Sequence, residues 1–266
     1  MKKHILSFLY ILISVSLFSQ DFEVAPVIVD FTADPGETET KIITIQNHGN
    51  KKLSIVLGIE DYLIDTKGNR SFLPANSTKN SIANSISFSP SLLEINPNES
   101  KEVAVTVQAP ADDYSTKWGI IYVTSAAEQN AFTADKTVQA GIGISARISV
   151  QVSHSPKSNK NYNVKITNLR EITKEGNAER DFQANIENIG EKITNCKVYL
   201  VASNIKTAEE FTFNSLNITV YPKSSRIVEL KLPQGSLKNG QYSLAAILDY
   251  GSSSALEGTQ IMIEVK

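Results

Sequence analysis

The chain has 266 residues, of which 41% are hydrophobic and 20% are charged, enough apolar sequence for one or two cored domains. Its 26 basic and 28 acidic side chains give a net charge of −2, so the composition does not indicate a nucleic-acid or membrane-surface partner. A single cysteine excludes an intramolecular disulfide framework and any multi-cysteine metal site.

The first twenty residues predict a secretory signal peptide. Lys2 and Lys3 precede an apolar run from Ile5 to Phe18, which is short for a membrane-spanning helix and ends near small residues. We therefore expect residues 1–20 to be removed and the mature chain to be exported. No cysteine follows the apolar run, so lipid attachment there is not expected. A retained N-terminal anchor is the alternative.

The next segment, residues 21–152, predicts one immunoglobulin-like β-sandwich. Its apolar residues alternate with a period of two, and turn sequences such as Asp34-Pro35-Gly36-Glu37 and Asn96-Pro97-Asn98-Glu99 interrupt the runs. Thr66-Lys67-Gly68-Asn69 is a further turn sequence. The predicted strands are Phe22–Phe31, Thr38–Gln46, Leu53–Leu63, Ser87–Ile95, Glu102–Gln108, Trp118–Thr124 and Val138–Val152. Their number and length match an immunoglobulin-like domain.

A second sandwich is predicted after a polar linker. Residues 153–161 contain one proline and no large apolar residue, which is typical of an interdomain linker. Residues 162–266 then carry a second series of alternating runs, and both domains contain the phrase Asn-x-Gly, at Asn47 and Asn188. The predicted strands are Tyr162–Leu169, Phe182–Ile189, Cys196–Ala202, Glu210–Phe213, Leu216–Tyr221, Arg226–Leu232, Tyr242–Asp249 and Gln260–Val265. The fold class is therefore all-β, with two tandem sandwiches.

The sequence offers no catalytic constellation, so we expect a non-enzymatic protein. The mature chain has two histidines, His48 in a predicted turn and His154 in the predicted linker, and neither position suits a rigid acid–base pair. No cofactor or metal motif is present, and Cys196 begins an apolar strand, where a buried thiol is expected. Trp118 is the one aromatic side chain considered for a carbohydrate platform, although a core position is the default for it.

The strand predicted over residues 138–152 is unusually long. Its even positions are apolar and its odd positions are polar or glycine, so one face suits a core. Fifteen residues at about 3.3 Å each span roughly 50 Å, against about 17–20 Å for a typical strand. The first half is predicted to act as an edge that pairs with a strand from another protein. The residues assigned to this partner contact are Val138, Ala140, Ile142, Ile144 and Arg147. The alternative is that the whole strand lies in its own core.

These features resemble the PapD-like periplasmic chaperones. The resemblance rests on the turn Asn47-His48-Gly49, on Ser89-Pro90 with the passage Asn96–Ser100, and on the long last strand of the first domain. It implies two tandem immunoglobulin-like domains, a periplasmic location and capture of a protein client. In that family, an arginine on the first strand and a lysine on the last strand of the first domain bind a subunit's terminal carboxylate. Here residues 21–40 contain no basic side chain, Ser149 occupies the lysine position and Arg147 lies beside it.

Three functions remain open from the sequence. The leading hypothesis is a chaperone-like binding protein that holds an exported or envelope protein through edge-strand contacts. The second is a scaffold subunit of a secretion, motility or other envelope complex, which would bind through the second domain or the interdomain cleft. The third is a cell-wall or carbohydrate-binding module. A protein partner is expected in the first two, and the mature chain has no second apolar run long enough to span a membrane.

Overall fold

The computed structural model describes residues 21–125, 145–177, 179–251 and 255–266. Within these ranges the regular elements are eighteen β-strands, and no helix is long and apolar enough to cross a membrane. The strands of the first half are β1 (Phe22–Ala25), β2 (Ile28–Phe31), β3 (Thr38–Asn47), β4 (Leu53–Ile64), β5 (Arg70–Leu73), β6 (Ile86–Ser89), β7 (Leu92–Ile95), β8 (Ser100–Gln108), β9 (Lys117–Ser125) and β10 (Arg147–His154). Those of the second half are β11 (Val164–Glu171), β12 (Arg180–Asn188), β13 (Thr194–Asn204), β14 (Glu210–Thr212), β15 (Leu216–Val220), β16 (Ser224–Leu232), β17 (Gly240–Asp249) and β18 (Glu257–Val265).

The strands form two β-sandwiches, as the sequence predicts. In the first, the sheet β1-β3-β8-β6 faces the sheet β2-β10-β9-β4, to which β5 and β7 add by pairing with β4. In the second, the sheet β11-β12-β16 faces β14-β13-β17-β18, and β15 pairs with β13. Each sandwich has its own apolar core, to which alternate residues of the facing strands contribute. Val103, Val105 and Val107 of β8, for example, are fully buried.

The three predicted turns are confirmed by their backbone. Each contains one residue with a positive φ angle: 86° at Gly36, 93° at Gly68 and 60° at Asn98. Glycine adopts this conformation without steric cost, and asparagine tolerates it better than most other residues. The turn chemistry therefore sets where β3, β5 and β8 begin.

Two strands that the sequence predicts as continuous are each divided at a proline. Pro26 separates β1 from β2, and Pro90 separates β6 from β7. In both cases the two halves lie in opposite sheets, because proline has no N–H with which to continue a ladder. The short strand β5 was not predicted, since Arg70–Leu73 is too short to show a period.

The segment predicted as a linker is shorter and more firmly held than expected. Strand β10 ends at His154 and not at Val152, and the His154 side chain is buried with Nε2 2.8 Å from the carbonyl oxygen of Ala33. The prediction of a loop at this histidine is wrong, because a buried acceptor lets a polar residue continue the strand. Beyond it, the Ser158 N–H donates to Asp34 Oδ1 at 2.8 Å, which fastens the connecting segment to the first sandwich.

The Asn-x-Gly phrase has the same structural role in both domains. The Asn47 amide donates to the carbonyl oxygens of Lys51 and Ile95, and its Oδ1 accepts the N–H of Gly49. Asn188 makes the corresponding three bonds with Lys192, Val220 and Gly190. Neither asparagine has a positive φ angle, so the phrase reflects a buried side-chain amide and not a left-handed turn. Each amide joins the end of one strand to the loop after it and to a strand of the opposite sheet.

Candidate functional site

Half of strand β10 has an open edge. On one side β10 pairs with β9 along its whole length, from Arg147 to His154. On its other side β2 runs parallel to β10 but pairs only with Gln151–His154. Among the described residues, no strand pairs with Arg147–Val150 on that side. We call this segment the open edge.

The backbone groups of the open edge can be assigned from the bonds that flank it. The Gln151 N–H donates to the Val27 carbonyl at 2.9 Å, and the Ser155 N–H donates to Phe31. Odd positions of β10 therefore direct their N–H and C=O groups toward β2, since N–H and C=O of one residue point the same way in a strand. Even positions face β9, as the bond from the Ser125 N–H to the Ala146 carbonyl shows. Arg147 and Ser149 consequently direct their backbone groups toward the open edge.

Apolar side chains accompany these backbone groups. Val27 and Ile28, where β2 begins, are 53% and 56% exposed. Ile148 packs partly against the core of the first sandwich, while Val150 is completely buried in it. A strand placed beside the open edge would therefore find both hydrogen-bonding groups and exposed apolar surface.

Arg147 lies on the outer face of the sheet, at the start of the open edge. Its guanidinium carbon is 3.1 Å from the centre of the Tyr122 ring, and its Nη2 is 2.6 Å from Glu60 Oε1. Burial and the nearby Glu60 carboxylate raise the pKa of Tyr122, so its hydroxyl keeps its proton. Stacking and ion pairing together hold Arg147 flat against β9.

Of the predicted partner-contact residues, Arg147 is at the site and the others are not described. Val138, Ala140, Ile142 and Ile144 lie outside the described residues, so their contact with a partner stays a prediction. The described strand starts at Arg147, and its open edge adjoins the point where those residues would lead into it.

A second feature, which sequence reasoning missed, is an aromatic junction between the two sandwiches. Tyr62, Trp118, Ile120 and Tyr122 on the outer face of the first domain's sheet form one cluster with Tyr221 of the second domain. The hydroxyl oxygens of Tyr62 and Tyr221 are 2.7 Å apart, and Tyr221 packs edge-on to Trp118 at 5.0 Å. Strand β9 is consequently buried on both faces, which its nearly continuous apolar run indicates in retrospect.

Several other residues considered from the sequence lie in structural positions. Trp118 is buried in this junction, with Nε1 donating to the Tyr62 carbonyl at 3.2 Å, so it offers no exposed face to a sugar. Cys196 is buried, and burial raises the pKa of its thiol to about 12, which leaves it protonated and unreactive. His48 lies 3.1 Å from Glu23 on the surface of the first domain. Among the described residues, no group of three or more side chains could hold a metal ion.

No protein-family model matches the chain, and no curated protein is similar to it in sequence. Solved structures that are similar in fold include the class 5 fimbrial chaperone CfaA, at 10% identity, covering 92% of this chain and 99% of that one, with a TM-score of 0.49. The Salmonella enterica SafA pilin in complex with the SafB chaperone matches at 12% identity, covering 93% and 99%, with a TM-score of 0.43. The E. coli chaperone DraB matches at 14% identity, covering 92% and 96%, also with a TM-score of 0.43. Likeness of this degree says nothing about what the chain binds. In architecture, the chain is a two-sandwich protein similar to the PapD-like fimbrial chaperones.

Proposed function

We propose that this chain is a non-enzymatic, chaperone-like binding protein of the periplasm that holds an exported or envelope protein by edge-strand pairing. The observation that carries the proposal is the open edge of β10, where Arg147 and Ser149 direct backbone groups away from β9 with no paired strand among the described residues. The exposed Val27 and Ile28 beside it supply apolar contact. The periplasmic location rests on the predicted signal peptide together with the resemblance to the periplasmic chaperones.

The geometry favours pairing with a strand over binding of a folded surface. Unpaired edges are places where another chain adds a strand, and proteins commonly shield them with charges, prolines or covering loops. Here the neighbouring outward residues are Ser149 and Arg147, and the arginine is occupied by Glu60 and Tyr122. The inward side chains of the open edge are those of Ile148 and Val150, so the edge also lacks an inward charge that would repel a partner strand.

A proline substitution tests this edge directly. Ser149→Pro removes an N–H that points to the open side, while the bonds to β9 come from even positions and are retained. The matched control, Ser149→Ala, removes the hydroxyl and keeps the N–H. Loss of one pairing bond costs about 1 kcal/mol, and the proline ring also obstructs an incoming strand, so we expect at least a tenfold weaker partner capture for proline than for alanine.

The measurement is crosslinking in cells. A photoreactive amino acid at residue 28, beside the edge, should capture a partner in the wild-type background and lose it with Ser149→Pro. The same amino acid at position 165, an exposed lysine of β11 in the second domain, is the positional control. Capture from residue 165 alone, or equal capture with Ser149→Pro and Ser149→Ala, would contradict edge-strand binding. The former result would instead support a scaffold that binds through the second domain.

A further inference from the structure

The two domains border a half-open cavity that is rich in hydrogen-bond donors. It measures about 230 Å³ and lies between the β4–β5 turn of the first domain and strands β15 and β16 of the second. Among the described residues, its lining contains no carboxylate. The polar side chains that line it are Arg70, Gln151, Asn217, Thr219, Tyr221 and Arg226.

A fixed chain of hydrogen bonds leaves the Tyr221 proton directed away from its neighbours. Arg70 Nη2 donates to Gln151 Oε1 at 2.7 Å, which sets the orientation of the glutamine amide. Gln151 Nε2 then donates to the Tyr221 oxygen at 3.3 Å. The hydroxyl oxygen of Tyr62 is 2.7 Å from the same oxygen, and either hydroxyl could donate in this bond. We assign the proton to Tyr62, because its side chain is fully buried and its O–H would otherwise lack an acceptor. Tyr221 therefore accepts two bonds, and its own O–H needs an acceptor.

Tyr221 also stays protonated at neutral pH. Burial raises the pKa of its hydroxyl, although the nearby Tyr62 hydroxyl and Arg70 act in the opposite direction. The hydroxyl that lines the cavity is consequently a donor at neutral pH.

Arg226 brings a second donor without a partner. Its Nη1 donates to the Thr219 carbonyl at 3.2 Å, and its Nη2 lies 3.5 Å from the Lys67 carbonyl. Its Nε–H is buried and has no hydrogen-bond partner among the described residues. A buried donor left in this way costs about 1–3 kcal/mol.

Neither cavity arginine is neutralised by an acid. No ion pair joins Arg70 or Arg226 to a carboxylate within the described parts of the chain, whereas Arg147 and Arg180 are both paired. Asp30, which is electrostatically close to Tyr221, instead accepts the Ser153 hydroxyl at 2.6 Å. Two positive charges therefore line one small cavity together with the Tyr221 hydroxyl, and the unsatisfied Nε–H of Arg226 lies buried beside it.

We propose that this cavity binds a tetrahedral oxyanion of the phosphate or sulfate class, held by Arg226, Tyr221 and Arg70. Arg70 comes from the first domain and Tyr221 and Arg226 from the second, and the four oxygens of such an ion offer these donors more acceptors than the two oxygens of a carboxylate. A volume of about 230 Å³ holds one such ion with a few waters, since each water occupies roughly 30 Å³. The arginines lie on β5 and β16, not on the strands where the family resemblance places a carboxylate anchor. The ion would join the two domains, and it does so independently of any partner at the open edge.

The test is a phosphate titration of the isolated full-length mature protein at pH 7. Thermal unfolding and calorimetry are followed with sodium phosphate, with the ionic strength held constant by sodium chloride. Because a ligand that binds only the folded state adds RT ln(1 + [L]/Kd) to its stability, we expect Tm to rise with the logarithm of the phosphate concentration above Kd, and the calorimetric heat of binding to saturate. Asn217→Asp, an exposed and isosteric change, places a carboxylate in the lining and should raise the Kd at least tenfold.

Two further variants and a second anion complete the test. Arg226→Gln should also abolish the response, and Arg170→Gln, at an exposed arginine of β11 outside the cavity, should leave it unchanged. Sodium acetate at the same concentration should raise Tm no more than sodium chloride does, and should give no saturable heat of binding. The proposal is overturned if phosphate stabilises no more than chloride, if Asn217→Asp and Arg170→Gln respond alike, or if acetate is as effective as phosphate. None of these outcomes bears on crosslinking at the open edge.

Discussion

Replacing Asn188 by alanine should destabilise the second domain more than almost any other single polar substitution. The side chain is completely buried and makes three hydrogen bonds, to the carbonyls of Lys192 (2.7 Å) and Val220 (3.0 Å) and from the N–H of Gly190 (3.0 Å). Alanine removes all three, so the Val220 carbonyl of β15 loses its side-chain donor, and two groups of the loop after β12 lose one of their bonds: the Lys192 carbonyl and the Gly190 N–H.

The size of the loss follows from these bonds. Each contributes about 0.5–1.5 kcal/mol net, so three give about 3 kcal/mol, and buried groups left unpaired push the value upward. For a domain of this size, 1 kcal/mol corresponds to roughly 4–8 °C in Tm, so the transition should fall by about 12–24 °C. Asn47 makes the same three bonds in the first domain, and Asn47→Ala should lower that domain's stability by a similar amount.

Urea unfolding followed by circular dichroism measures the loss, with Asn214→Ala at an exposed loop position as the control. Asn188→Asp separates hydrogen bonding from packing, because it keeps the shape and the acceptor for Gly190 but loses both donated bonds. We expect aspartate to be at least as harmful as alanine at pH 7. A cost below about 1 kcal/mol for either variant would refute the claim that the amide bonds stabilise the domain.

Two further outcomes are expected from single positions. Gly190→Ala would place a Cβ 2.6 Å from the Asn161 carbonyl oxygen and should lower the free energy of unfolding by about 3 kcal/mol. At Gly49 the atom nearest to an added Cβ is a side-chain oxygen at 3.2 Å, so Gly49→Ala should cost clearly less. Urea unfolding of the two variants measures the difference. Partial burial raises the pKa of Asp113, but the hydrogen bonds that its carboxylate accepts, including one from Lys117, lower the pKa by more, to about 2. A carboxyl pKa below its unfolded value of 3.8 stabilises the fold above about pH 4 and loses this effect as the pH falls toward 2, so stability measured over that window should depend less on pH in Asp113→Asn.

The strands could be predicted from the sequence because alternation reports which face is buried. Strand β8, with Val103, Val105 and Val107, shows this directly, and so do the turns at Gly36 and Gly68, where one residue requires a positive φ angle. These signals are local, so a single sequence contains them. The same reasoning identified the strand that carries the open edge.

The parts that were missed depend on contacts between distant residues. Gln151 and Tyr221 are 70 positions apart, and nothing in either neighbourhood indicates that they share a hydrogen bond. Pro26 does mark a break in the predicted strand. Only the sheet order shows that β1 and β2 belong to opposite sheets, and hence that half of β10 is left open. The Asn-x-Gly phrase was visible at both sites, yet its cause is a buried amide that bonds to a carbonyl 48 residues away in the first domain.

Strand β10 connects the two candidate sites and assigns them different roles. Its first half, Arg147–Val150, has the open edge, while its second half pairs with β2 and places Gln151 in the interdomain cavity. The second half is fixed by Tyr221 and, at its end, by the buried His154. A partner strand at the open edge would therefore be held at a defined angle to the second domain, because the strand to which it binds is the same one that joins the domains. An oxyanion in the cavity would stiffen that joint without touching the edge, so it should change the orientation of a bound partner more than its affinity.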